Sequence, residues 1–320
     1  MSGSVPPSTC GVPPEPPATA GGRDAATTLS FLWWRLTHRR KDRLRRAVVD
    51  WADRHADLAH DADLRRAVDT LRSSPPRMIP YPFTDRYTAA APQVRHDRSL
   101  GLHYVEHHGR RLYWREGRKA RRIAGDYQAL LAEQDPQSPH RYFTAAFDPR
   151  PGCIFADVGS AEGIVALDVV ERVDHLYLFE GDANWRTALE ATFRPWRQKV
   201  TIVDRLVGRR SGPGMVALDD VFADRRPPDF LKVDVEGCEA DVIRGAARSI
   251  TRVDDMRAAV CAYHGRDDET VLRQLLEATG FAVSVSTGYM LLAAADGGLP
   301  EFRRGVLRAE RSAAALRRVA

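Results

Sequence analysis

Apolar positions follow two different periods along this chain, and the change of period divides it. Between residues 28 and 76 they recur at helical spacing: Leu44, Val48, Trp51 and Leu58, then Leu64, Val68 and Leu71. Stripes of this kind predict amphipathic helices, and Ser-Ser-Pro-Pro at 73–76 ends them. From 151 to 296 the pattern becomes short apolar runs alternating with helical stripes, which predicts β/α units around a parallel sheet. The runs are 153–156, 176–179, 200–203, 229–234 and 258–262. Helices are expected over 164–170, around Trp185, Leu189 and Phe193, around Val242, Ile243 and Ala246, and around Val271 to Leu276 with Gly280 as its terminator. Residues 281–285 and 289–294 fit an antiparallel hairpin, turned at Thr287-Gly288, that closes the sheet.

The flanking segments read differently. Residues 1–27 are rich in Pro, Gly, Ser, Ala and Thr, a composition that predicts a disordered tail. Residues 28–76 form a helical accessory arm, basic at Arg35 to Arg46. The segment 77–150 holds a small hairpin, with 103–106 and 111–114 flanking a turn at 107–110, then a helix marked by Ile123, Tyr127, Leu130 and Leu131. His107 and His108 read as polar residues of an exposed turn. Residues 297–320 read as a basic tail or short helix.

The stretch 153–180 carries the chemistry. Its apolar run ends on Asp157, a turn Asp-Val-Gly-Ser-Ala-Glu-Gly follows, and the next run ends on Glu180. Gly159 allows a tight turn and close approach to a ligand, and the helix start after Gly163 offers free N–H groups. Glu180 lies 17 residues after Gly163, where a carboxylate accepts hydrogen bonds from ribose hydroxyls. Dinucleotide loops need a middle glycine for the pyrophosphate; here that position is Ala161, and the loop adds acids at Asp157 and Glu162. An acidic loop suits a ligand with a positive centre and no phosphate, and S-adenosylmethionine is such a ligand. Ligands of open α/β sheets bind at the carboxyl ends of the strands, and Asp157, Glu180, Asp204, Asp234 and His264 all stand at or just beyond such ends.

Composition narrows the remaining choices. The chain has 320 residues, 43% hydrophobic, enough for one large α/β domain and an accessory region. Its net charge of +5 is spread through a well-mixed chain rather than gathered in one stripe, so no nucleic-acid partner is expected. The cysteines at 10, 153, 238 and 261 form no C-x-x-C pair, so no metal site is expected, and those in predicted buried elements read as reduced thiols of a cytoplasmic protein. No run is long enough to span a membrane.

As a set, DVGSAEG, Glu180, LDD at 218–220, FLKVDVEGCE at 230–239 and CAYH at 261–264 resemble the FkbM-type methyltransferases. EQDPQSPHRY at 133–142 and STGYML at 286–291 resemble a bacterial branch of that family. The resemblance implies a Rossmann-like class I methyltransferase sheet, mostly parallel with the C-terminal antiparallel hairpin, and S-adenosylmethionine as cofactor. It implies transfer to a hydroxyl of a sugar, glycan or secondary metabolite. By the same implication Asp157, Gly159, Gly163, Glu180 and Asp234 hold the cofactor, and Ser160 in the loop and Asp204 at its strand end are expected to join them. His264 with Asp234 is the expected catalytic pair, His264 being neutral at pH 7 and so able to act as base. His140, Tyr142 and Glu236 are expected at the substrate. Glu239 fits either the same motif or a first-turn acid on a helix dipole. The competing reading is a non-catalytic ligand-binding or scaffold protein of the same fold.

Overall fold

A computed structural model of the chain describes residues 38–55, 60–293 and 298–311. The expected tail at 1–27, the start of the arm, Leu58 and residues 312–320 lie outside the described residues.

Two helices, α1 (His38–Arg54) and α2 (Ala62–Ser73), make the arm. Asp61 starts α2 by accepting the N–H groups of Asp63 and Leu64, an N-cap in the usual sense. A three-stranded antiparallel sheet follows, β1 (Val94–Asp97), β2 (Leu102–His107) and β3 (Arg110–Tyr113), then α3 (Ala120–Glu133). Strand β1 falls in a segment whose sequence carries no strand signal.

The main body is β4 (Ile154–Val158), α4 (Ile164–Val169), β5 (His175–Phe179), α5 (Arg186–Phe193), β6 (Val200–Val203), the short pair β7 (Leu206–Val207) and β8 (Met215–Val216), α6 (Leu218–Val221), β9 (Phe230–Val233), α7 (Glu239–Gly245), α8 (Ala247–Thr251), β10 (Met256–Cys261), α9 (Asp268–Ala278), β11 (Ala282–Val285), β12 (Met290–Leu292), β13 (Glu301–Arg303) and β14 (Val306–Arg311). Seven strands form one sheet in the order β11-β14-β10-β9-β4-β5-β6. The strands from β10 to β6 run parallel, and β14 lies antiparallel between β10 and β11. The order reverses between β4 and β9, so a crevice opens at their carboxyl ends. α9 ends in a Schellman motif: Gly280 N–H reaches Glu277 O and Phe281 N–H reaches Leu276 O.

The closing strand corrects the sequence reading. Strand β11 does pair antiparallel, but with β14 rather than with 289–294. Residues 290–292 pair with β13 in a separate ribbon. The segment expected as a basic tail or short helix therefore supplies an interior strand of the sheet, second from its edge. Its basic residues mislead because Arg311 is buried, with its guanidinium spent on the carbonyls of Ile250, Val253 and Thr279.

Strand alternation splits the core in two. Phe155, Leu176, Leu178, Phe230 and Ala259 face α3, α4 and the small sheet. Ala156, Val158, Leu231, Val233, Val260 and Leu307 face α6 to α9. The arm docks on the β12–β13 ribbon: Val48 and Leu71 pack on Leu291, with Phe302 against them. Arg304 pairs with Asp61 and Asp63 beneath it. No helix among the described residues is long and apolar enough to cross a membrane. Cys153 and Cys261 are free buried thiols, whereas Cys238 is disulfide-bonded, against the expectation of a reduced thiol there.

Leu307 is fully buried on β14, so Leu307→Ala is expected to lower stability by about 2–5 kcal/mol in denaturant unfolding. A change below about 1 kcal/mol would mean that β14 is not part of the core.

Candidate functional site

The site grows from strand register. Asp157 on β4 stands directly opposite Lys232 on β9. Both point to the face that carries Phe155 and Phe230, because side chains two apart share a face. Lys232 Nζ lies 2.9 Å from Asp157 Oδ1 and donates to Gly159 O at 2.6 Å. Both side chains are almost wholly buried. Burial disfavours the lysine's charge, but Asp157 and Asp234 outweigh it and hold its pKa above the ordinary value. Lys232 was absent from the expected site residues, although strand alternation places it on the Asp234 face.

The glycine loop is clamped at both ends. Gly159 and Ser160 donate their N–H groups to Phe179 O. The Ser160 hydroxyl is turned inward on Asp157 O, so it serves the loop rather than a ligand. Gly159 has φ +79°, and a Cβ built there would lie 1.8 Å from Asp234 O, which only glycine avoids. Gly163 starts α4 against Leu189 and Phe193. Ala161 is left-handed at φ +45°, a conformation costing roughly 1–2 kcal/mol for a residue with a Cβ. Its N–H donates to Glu180 Oε2 at 2.8 Å, and Asp182 N–H donates to Glu180 Oε1 at 2.8 Å. Each Glu180 oxygen keeps a further lone pair. Burial raises the Glu180 pKa.

Asp234, just past β9, is the hub. Tyr142 Oη donates to its Oδ2 at 2.7 Å, and Tyr263 Oη to its Oδ1 at 3.4 Å. His264 Nε2 lies 3.6 Å from Oδ1. Burial works against the Asp234 charge, but Lys232, His264, His140 and the Tyr142 hydroxyl together hold its pKa well below the carboxylate range. Tyr142 and Tyr263 are driven far up, first by burial and then by Asp234.

His264 has a second carboxylate beside its other nitrogen. Nδ1 is 2.9 Å from Glu239 Oε1, and Glu239, buried at the start of α7, also accepts Val235 N–H. Glu236 Oε2 is 3.6 Å from His264 Nε2, on a largely exposed side chain with left-handed backbone at φ +54°. Burial disfavours the imidazolium, but Glu239, Asp234 and Glu236 raise its pKa to about 9. The expectation of a neutral His264 at pH 7 is therefore overturned: three carboxylates keep it protonated. Glu239 does more than complement a helix dipole, since its carboxylate, 2.9 Å from Nδ1, is one of those that keep the ring charged.

His140 and Tyr142, expected near substrate, lie on the loop after α3 and both reach Asp234; His140 Nε2 is 4.0 Å from Oδ2. Asp204 does not join them. It stands half-exposed past β6, paired with Arg186 at 2.5 Å. The expected exposed histidine turn also differs: His107 is buried, held by Tyr127 Oη at 2.9 Å and Asp168 at 2.8 Å.

A cavity of about 90 Å³ opens between the glycine loop and Asp234, lined by Glu133, Asp157, Glu162 and Asp234 against the one lysine, Lys232. Glu133 and Glu162 were not among the expected site residues. Burial first, then Asp234 and Glu162, push Glu133 up to about 8. Burial likewise pushes Glu162 up to about 7. Such a lining fits a cationic ligand and disfavours a phosphate. A larger cavity of about 200 Å³ sits at the opposite ends of the strands, where Arg150, Arg226 and Arg257 pair with Asp255, Asp229 and Glu310. Asp234, Glu239 and His264 also offer ligand atoms within 4.8 Å of one another, a spacing that could hold a metal ion.

Residues 150–283 match the model of the methyltransferase FkbM domain. No curated protein sequence matches the chain. Among solved structures it is similar to the methyltransferase FkbM from Methylobacillus flagellatus KT, with 18% identity, 57% of this chain, 54% of that one and a TM-score of 0.42. The chain thus spans about half the length of that relative. It is also similar to precorrin-6y C5,15-methyltransferase from Geobacter metallireducens GS-15, at 13% identity, 51% and 83% coverage and a TM-score of 0.37. A third is magnesium protoporphyrin IX methyltransferase from Synechocystis PCC 6803 with bound SAM, at 13% identity, 51% and 71% coverage and a TM-score of 0.34.

Removing the lysine alone strands the buried Asp157 carboxylate. Lys232→Met is expected to cost about 3–5 kcal/mol of stability, read by denaturant unfolding, with part recovered in Lys232→Met/Asp157→Asn. An equal loss in the single and double variants would show that the pair is not coupled.

Proposed function

The chain belongs to the FkbM methyltransferase family through its residues 150–283, and from that premise we propose that it transfers a methyl group from S-adenosylmethionine to a hydroxyl of a small-molecule or glycan acceptor. The observation that carries this reading is the cavity beside the glycine loop, whose lining has four carboxylates and one lysine. S-adenosylmethionine supplies, when bound, an electrophilic methyl on a sulfonium centre.

The chain's own residues have separable tasks in this reading. Glu180 keeps one free lone pair per oxygen for the two ribose hydroxyls, while its bonds to Ala161 and Asp182 hold the loop in place. Asp157 is neutralised by Lys232 and fixes the loop rather than meeting the ligand's charge. Asp234 remains ionised at the crevice and orients whatever lies between β9 and β10. A hydroxyl acceptor must lose its proton, and His264 Nε2 lies 3.6 Å from Asp234 Oδ1 while Glu239 Oε1 lies 2.9 Å from Nδ1. His264 takes that proton only in its neutral form. The protein thus positions the two reactants and removes a proton, which is most of what such a displacement asks of it.

Calorimetry with S-adenosylhomocysteine tests the cofactor reading. Glu180→Ala is expected to weaken binding at least tenfold, since each lost charge-assisted bond is worth about 1.5–3 kcal/mol. Unchanged affinity in a folded variant would remove Glu180 from the site.

The base is tested by a pH profile. With the His264 pKa raised to about 9, kcat/KM is expected to climb from pH 7, reach half its maximum near 9 and level off above it, and His264→Ala to lose about 10²–10⁴-fold in turnover with cofactor affinity kept. A flat profile over that range, or near-normal turnover in the variant, would leave His264 without a catalytic role.

A further inference from the structure

The side of the cavity formed by α3 and the loop after it has no place in this scheme. Glu133, the last residue of α3, and His140, on the following loop, both line it. His140 is 96% buried by its 4% exposure, and its Nδ1 has no hydrogen-bond partner. The tautomer follows from its neighbours. Tyr263 Oη donates its proton to Asp234, so its oxygen accepts from His140 Nε2–H at 3.1 Å. Nδ1 is then a bare acceptor. Burial, with Lys232 and His264 adding to it against Asp234, lowers the His140 pKa to about 4, so the ring stays neutral. Glu133 Oε2 lies 3.9 Å from that Nδ1. The separation is too long for a hydrogen bond. It suits one nitrogen bridging both atoms at ~2.8 Å from each.

The unpartnered His140 Nδ1 and the Glu133 carboxyl face one space here; Glu133, held up to about 8, keeps its proton at neutral pH but at 3.9 Å does not hydrogen-bond the ring nitrogen, and acids outnumber cations around them. A buried acceptor without a donor is a costly arrangement unless a ligand completes it. Water completes it poorly, because it adds no charge to the carboxylates. A primary ammonium brings three donors and a positive charge. We propose that Glu133 and His140 Nδ1 form the receptor for a primary ammonium, that of the amino-acid end of the methyl donor. The proposal rests on the cofactor reading above and adds to it the residues that recognise the amino group. The small volume agrees: about 90 Å³ is well under the 300–1,000 Å³ of a whole-ligand pocket and matches one end of a ligand.

The test uses the full chain and two probes. S-adenosylhomocysteine carries the amino-acid end; 5′-deoxy-5′-methylthioadenosine shares the adenosine and sulfur but lacks it. In the wild type both should bind, the first more tightly. Glu133→Gln keeps the shape and removes the charge, and it is expected to weaken S-adenosylhomocysteine at least tenfold while leaving 5′-deoxy-5′-methylthioadenosine within twofold. His140→Phe, which removes the acceptor but fills the space, should act in the same direction. Thermal melts confirm that each variant is folded. Equal weakening of both probes, or no weakening of either, overturns the assignment of the ammonium to Glu133. Failure of both probes to bind the wild type would instead sink the cofactor reading, so the two failures are told apart.

Discussion

The buried ion pair between Asp157 and Lys232 is the constraint from which the site follows. It joins the two strands at the switch point of the sheet, β4 and β9, in register. The same ammonium holds Gly159 O, so the glycine loop cannot move without breaking a charge-assisted contact in a low-dielectric setting. On the other side the loop backbone is pressed against Asp234 O, closely enough to exclude any Cβ at position 159. One lysine thus sets the distance between the loop and the Asp234 hub. An ion pair so placed is weak evidence for stability, since two charges must be desolvated to make it. Its value here is positional.

Asp234 divides the site into two halves of opposite character. On one side stand neutral groups: His140, Tyr142, Tyr263 and the partly buried Glu133. On the other stands the charged His264, ringed by Glu236 and Glu239. The hub stays ionised because Lys232 and His264 outweigh its burial, with the Tyr142 hydroxyl adding to them. This arrangement is the pattern in which acid and base roles are separated by environment rather than by residue type.

Much of this was legible in the sequence, for identifiable reasons. Gly159, Glu180, Asp234 and His264 could be found because strand ends in an open α/β sheet converge, so counting along each apolar run reaches the crevice. Lys232 was equally accessible by alternation, two residues before Asp234 on the same face, but a lysine inside an apolar run reads as strand. Glu133 was not accessible in that way. Its place depends on how the last turn of α3 packs over the sheet, which no local period encodes. Strand β14 was missed because Arg308 and Arg311 look like solvent-facing charges. Their guanidinium groups are in fact spent on backbone carbonyls, of Arg141 and Tyr142 for one and of Ile250, Val253 and Thr279 for the other. Asp204 satisfies the strand-end rule and still stands outside the cluster, because Arg186 is near enough to hold it at the surface.

The excess of carboxylates links ligand charge to protons. Glu133 and Glu162, held up to about 8 and about 7, keep protons at neutral pH that the same groups would release in water. A cation entering the cavity favours their ionised forms, so its binding expels protons and strengthens as pH rises through that range. His264 responds to the same surplus in the opposite role. The carboxylates around it retain its proton to about 9, so the neutral base also becomes more abundant as pH rises. Recognition and proton removal therefore share a preference for the alkaline side of neutrality, the first through burial reinforced by neighbouring carboxylates, the second through carboxylates that outweigh burial. The two couplings differ in origin: burial alone would still hold the Glu133 proton, whereas the His264 proton depends on Glu239, Asp234 and Glu236.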